Sequence, residues 1–261
     1  VGWYAYRAGY TMAMNPKVTL SSERAPQGSI VAIQLSGILD GEPTVESDLG
    51  DVWFRKTATG YMGYLPVTYN AEGGDHTLQL TCGTLQKEIT LTVTRTLYDT
   101  VSVPAEEDVG GGEEFRNAIW PLYTTGSSAK LWNGRFEAPS AGAVSLAYVD
   151  GQRSGQATGL TYAAADGETV TAPQAGNIVF AGTLTLTGGT VVIDHGCGVK
   201  SYLYGLETVG IVRGQSVSTG DPLGTAGTSH SLIYELRIGS KSTDPQLALN
   251  GSSGLQFREA E

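Results

Sequence analysis

A chain of 261 residues has room for two domains of ordinary size, and 40% hydrophobic against 16% charged residues is too apolar for a disordered polymer. The formal net charge of −10 repels phosphate backbones and argues against nucleic acid as a partner. No run reaches the roughly eighteen apolar residues that a membrane-spanning helix needs.

Residues 1–25 open with VGWYAYRAGY, aromatics without a period, and read as a terminal strand or packed arm. No export signal is recognisable, and an upstream signal or anchor is expected to lie outside this sequence. Residues 26–95 carry period-two patterns. Val31, Ile33 and Leu35 alternate with Ala32 and Gln34; Leu78, Leu80 and Cys82 with Gln79 and Thr81; Ile89, Leu91 and Val93 with threonines. That pattern predicts strands with one apolar and one wet face. Turn-forming residues at Asn70–Asp75 and Cys82–Thr84 suit hairpins. About seventy residues of short strands suggest an immunoglobulin-like β-sandwich, with Trp53 as its core aromatic. His76 reads as a solvated turn residue.

Residues 96–130 form an acidic, glycine-rich linker. Glu106, Glu107, Asp108, Glu113 and Glu114 lack the alternating spacing of a calcium loop and read as a solvated charge run. Glu114 to Trp120 reads as a short helical turn. From residue 131 to 261, β-branched runs alternate with glycine turns, the pattern of a second all-β unit. Val191, Ile193 and 209–211 are its predicted core, and Gly188–Thr190 a hairpin turn rather than a phosphate cradle. Cys82 and Cys197 fall in different predicted domains and are expected as free or buried thiols.

Several stretches of this second unit form an ordered series: Gly167, Val170 and Ala172; Ile193 to Gly196; Val212, Gly214, Val217 and Gly220; Asp244–Pro245; and the entry segment Leu131 to Gly142. In order and spacing they resemble the LytM/lysostaphin-type zinc endopeptidases of bacterial cell walls. The resemblance covers some 120 residues and implies an antiparallel β domain behind the sandwich.

It also implies where a metal would sit. Active members hold zinc with a His and an Asp from one segment and the second His of a His-x-His strand, leaving a fourth position for water. Here the ligand positions are Ala157, Thr161 and Ile233. The positions of the two further catalytic histidines are Gly205 and Ser231. Ala and Ile cannot ligate a metal, and a lone Thr hydroxyl is a poor zinc ligand. His195 matches a family position that is not a ligand and is expected to order a turn. His230 reaches the site only through a one-residue slip that would reverse the strand's faces. A Cys197/His195 pair, two apart on one strand end, is the remaining nucleophilic candidate.

The fold class expected is therefore all-β: an immunoglobulin-like sandwich followed by a LytM-like domain. The function implied is a catalytically inactive homologue without cofactor, acting as a binding, scaffold or regulatory module. Peptidoglycan or an envelope protein would be its partner, and its place the bacterial envelope or the exterior. The alternative is a zinc-dependent glycyl-glycine endopeptidase with a non-standard ligand set. Tyr204, Tyr234 and Trp132 are candidates for the rim of a binding groove, with burial in the core as their other fate.

Overall fold

The structure is a computed structural model that describes residues 16–37, 41–98, 110–149 and 158–258. The predicted arm thus lies largely outside the described residues, as do Glu106, Glu107, Asp108 and Ala157.

The strands follow in order: β1 (Lys17–Leu20), β2 (Arg24–Pro26), β3 (Ile30–Ser36), β4 (Thr44–Glu46), β5 (Arg55–Lys56), β6 (Gly60–Pro66), β7 (Gly74–Cys82) and β8 (Leu85–Thr94). They build two four-stranded sheets, β1-β3-β6-β5 and β2-β8-β7-β4. Val31, Ile33, Leu35 and Leu65 of the first meet Leu78, Leu80, Leu91 and Val93 of the second in one core. Strand β7 alternates as expected. Cys82–Thr84 is a hairpin turn between β7 and β8, but Asn70–Asp75 carries the chain from one sheet to the other.

The first sheet does not have a wet face. Ala32 is fully buried and Gln34 nearly so, because Ile30, Ala32, Met62 and Tyr64 pack into the core of the following unit. Trp53 is likewise not a sandwich core residue. Its neighbours Val52 and Phe54 pack on the sandwich, while the Trp53 ring lies 5.6 Å from Lys200 Nζ across the seam. A seam this apolar couples the two units more tightly than a flexible linker would.

The second unit begins with α1 (Gly112–Ile119) and a 3₁₀ turn, Trp120–Tyr123. Its strands are β9 (Val144–Leu146), β10 (Leu160–Tyr162), β11 (Thr169–Thr171), β12 (Gly176–Leu184), β13 (Gly188–Gly196), β14 (Val199–Val209), β15 (Ser216–Val217), β16 (Pro222–Ala226), β17 (Leu232–Ile238) and β18 (Lys241–Thr243). A short helix α2 (Pro245–Asn250) follows. The main path of this sheet runs β15-β12-β13-β14-β17-β10-β9, and all its pairs are antiparallel. Asp244 caps α2 by accepting from Gln246 N at 2.9 Å, with Pro245 in the first helical turn.

Side chains alternate across this sheet. One face carries Leu160, Val191, Ile193, Leu203, Leu232, Tyr234 and Leu236, all in the main core. Val191 and Ile193 are buried as the sequence indicates; Val209 and Ile211 pack at its edge. The opposite face is the one that matters for function.

Candidate functional site

Strands β10 and β17 pair with Thr161 opposite Ile233. Strand β14 pairs with β17, setting Tyr204 opposite Ile233 and Tyr202 opposite Glu235. Directly opposed residues in an antiparallel pair share a face. Thr161, Ile233, Glu235, Tyr202 and Tyr204 therefore lie together on the side away from the main core. Thr161 and Ile233, two of the positions where the resemblance implies zinc ligands, are thus cross-strand neighbours; Ala157 is outside the described residues.

From β12 to β14, and as far as Ile233, this face is not an open cleft. Helix α1 and the 3₁₀ turn lie on it as a strap. Ile119, fully buried, joins Leu184, Val192, Tyr202 and Tyr204 in a separate cluster, with Phe115, Leu122, Tyr123 and Ile233 packed against it. The Phe115 ring is 6.0 Å from Tyr204, and Tyr123 is 6.0 Å from Tyr202. Residues 115, 118, 119, 122 and 123 follow helical spacing, so one apolar stripe faces the sheet. Glu113 and Glu114 thus stand at a helix start, not in a free charge run. Glu114 Oε2 accepts from Thr185 N at 2.9 Å.

The far end of the strap is tied by charge. Lys200 and Asp194 are both buried, with Nζ 3.9 Å from Oδ1. Lys200 Nζ donates to Thr125 O, and Asp194 Oδ2 accepts from Ser127 N at 2.7 Å. Cys197 N donates to Ser127 O at 2.8 Å. Gly196, at φ 85°, has Ala129 O 1.6 Å from where a Cβ would stand, so only glycine lets the strap pass this closely.

Beside Ile233 lies a polar knot. Arg237 Nε donates to Glu235 Oε2 at 2.7 Å, and Arg237 Nη1 to Ser240 O at 2.7 Å. Thr158 Oγ1 donates to Glu235 Oε1 at 2.6 Å and accepts from Arg237 Nη2 at 3.3 Å. The knot ties the segment entering β10 to β17. Its groups are satisfied by one another, which leaves little to offer a ligand.

The two positions where the resemblance implies further histidines are Gly205 and Ser231. Gly205 has φ 82°, and Ser231 O would lie 2.0 Å from a Cβ placed there. A side chain of any kind would push β14 away from the start of β17. Ser231 itself is exposed just before β17. His230 is exposed and close against Gly188, beyond the strand end, so no slip brings it inward.

His195 points into the main core, with Nδ1 2.7 Å from Ala175 O and Nε2 2.7 Å from Ser201 Oγ. Burial pushes its pKa down to about 4, which keeps the ring neutral. The Cys197 thiol donates to Ser128 O at 3.4 Å, and burial pushes its pKa up to about 11. It is a protonated anchor of the strap, not the partner of His195. His76 is a correction: it is buried, with Nδ1 2.9 Å from Asp48 Oδ2 and Nε2 2.7 Å from Glu72 O.

The three groove candidates do not share a rim. Tyr204 lies under the strap. Tyr234 is fully buried in the main core beside Ser201. Trp132 is buried at the seam, its Nε1 donating to Leu255 O at 3.1 Å and its ring 5.1 Å from Tyr64. Sequence reasoning missed the strap's seat and the Arg237 knot. The apolar spacing 115/118/119/122/123 was the available signal for the first.

Zinc is the metal the resemblance implies, and the residues at this site do not fit it. Thr161 offers one neutral hydroxyl and Ile233 nothing; the nearby Glu235 carboxylate is taken up by Arg237 and Thr158, and Ile233 packs against the apolar cluster of the strap. Among the described residues no three His, Cys, Asp or Glu side chains converge elsewhere.

Residues 155–245 match the model of a family described as Peptidase family M23. A Pseudomonas aeruginosa protein classed with the M23 peptidases is 20% identical, with a TM-score of 0.64, the match covering 87% of this chain and 95% of that one. Its span takes in the sandwich as well as the second unit, so the likeness of fold extends beyond the family segment. Weaker matches are Helicobacter pylori Csd3, at 12% identity and TM-score 0.42 over 90% of this chain and 71% of that one, and lysostaphin, at 17% and 0.40 over 46% and 56%.

Proposed function

We propose, for a chain whose residues 155–245 form an M23 peptidase-family domain, that this domain serves as a binding or scaffold module of the bacterial envelope and not as a hydrolase. One observation carries the reading: Thr161 and Ile233, cross-strand neighbours at two positions where the resemblance implies zinc ligands, carry no strong metal donor, and Ile233 packs against the cluster around Ile119. Hydrolytic zinc needs about three protein ligands and an open position for water. Here the implied positions supply one weak oxygen, and the neighbouring Glu235 carboxylate is already held by Arg237 and Thr158. A family fold does not by itself carry the family's chemistry. What the domain keeps is a rigid surface joined to a sandwich, suited to holding a wall polymer or an envelope protein outside the cytoplasm.

The test has two arms. Purified protein is incubated with peptidoglycan and with pentaglycine in excess zinc, and products are followed by mass. No cleavage is expected. In parallel, co-sedimentation with insoluble peptidoglycan and capture from an envelope extract are expected to show saturable retention in one or the other. Zinc-dependent cleavage that a chelator abolishes would replace this reading with the endopeptidase.

A further inference from the structure

The seam between the two units holds a pocket of about 320 Å³ that shares no residue with the strapped face. Small-ligand sites run from roughly 300 Å³ upward. Ser21, Arg24 and Ala25 line it from the sandwich, and Ser253, Gln256 and Phe257 from the 3₁₀ turn Gly254–Gln256 and its flanks.

Its polar groups are incompletely used. The amide nitrogen and oxygen of Gln256 are both buried and have no partner among the described residues. Buried polar atoms are ordinarily paired. Ser21 Oγ accepts from Ala32 N at 2.9 Å and Ser253 Oγ from Leu255 N at 3.2 Å, so each hydroxyl keeps a hydrogen to donate. Arg24 is exposed and makes no ion pair with a described residue. On a chain of net charge −10, one cation here marks a position for an anion and does not draw anions generally.

We propose that this seam pocket binds the carboxyl-terminal end of a short peptide. Turned into the pocket that Gln256 lines, its primary amide, with both atoms unused, would match the C=O and N–H of one peptide bond. A guanidinium matches the terminal carboxylate, the residue type best shaped for it. The serine hydroxyls add donors to an acceptor-rich ligand, and Ala25 and Phe257 wall a space for a small apolar side chain. This inference goes beyond the reading of the domain as non-hydrolytic and does not depend on it.

The test is an amide-shift titration of the full chain with N-acetyl-alanyl-alanine, with its carboxyl-terminal amide, and with N-acetylmuramic acid, whose carboxylate and acetamide offer similar chemistry on a sugar. Saturable shifts within Ser253–Phe257 are expected for the free acid. Binding should be at least about tenfold weaker for the amidated peptide, and about tenfold weaker to Arg24→Ala, since the charge-assisted pair is lost. Arg24 is exposed, so that variant should melt as the parent does. No saturable shift in this segment, equal affinity for acid and amide, or tighter binding of the sugar acid would each overturn the proposal.

Discussion

The two faces of the large sheet are built by the same strands and end up in opposite conditions. On the core face, Val191, Ile193, Leu203 and Tyr234 join a continuous cluster that crosses the seam to Met62 and Tyr64. His195 on that face is fully buried with both ring nitrogens paired. The other face has no second layer from the sheet itself. It is closed by a strap of twelve residues in α1 and the 3₁₀ turn, which brings Phe115, Ile119 and Leu122 to Tyr202, Tyr204 and Ile233. One face holds the fold. The other, where the resemblance places a metal, has become a packing surface with a borrowed lid.

The comparison can be broken most sharply at Gly205. Gly205→Ala forces a left-handed backbone on alanine and a clash with Ser231 O, and should cost about 3 kcal/mol or more in urea unfolding. Next comes the core face. Ile193→Ala removes a fully buried side chain, should cost about 2–5 kcal/mol, and should lower the melting temperature of the whole second unit. Ile119→Ala empties an equally buried position but in the strap. It should cost about 2 kcal/mol, with faster hydrogen exchange confined to residues 112–123 and the strands beneath them. A global loss equal to that of Ile193→Ala would show that the strap is part of the core. Lys200→Met leaves Asp194 with only its two backbone donors. It should cost about 1–3 kcal/mol, at or below the usual cost of breaking a buried pair, and loosen residues 124–131 first.

Two further effects are pH-dependent and of opposite sign in the two units. His195 has a folded pKa near 4 against an ordinary 6.5, so the unfolded chain takes up the proton first. Its contribution is complete above about pH 6.5 and is lost as pH falls through the folded value near 4. At His76 burial opposes the charge, but the Asp48 carboxylate and the Glu72 carbonyl outweigh it and raise the pKa. That contribution is complete below the ordinary value and is lost as pH rises through the raised one. Urea midpoints from pH 4 to 8 should therefore fall on the acid side through the second unit and on the neutral side through the sandwich. His76→Gln should flatten only the latter.

Much of this was legible in the sequence. The Thr161–Ile233 register follows from where the resemblance sets the strands, and β7 and the core of β13 follow from their patterns. Three features were hidden for physical reasons. Strand β3 is covered on both faces, so Ala32 and Gln34 read as wet only because small and amide side chains do not declare burial. Trp53 sits on a segment whose neighbours face the sandwich while it faces the seam. The strap's stripe from Phe115 to Tyr123 is short and lies in an acidic, glycine-rich run, so it reads as a turn in a linker; that the turn seats on the vacated face depends on tertiary packing no local pattern encodes.

The measurement that bears most directly on the central claim is a zinc titration of the unmodified protein, followed through the amide signals of residues 158–162 and 231–235. The account predicts no saturable change at Thr161 or Ile233 and no shift of the strap signals from Phe115 to Tyr123. One-to-one shifts at Thr161 and Ile233, reversed by a chelator and accompanied by displacement of the strap, would contradict it.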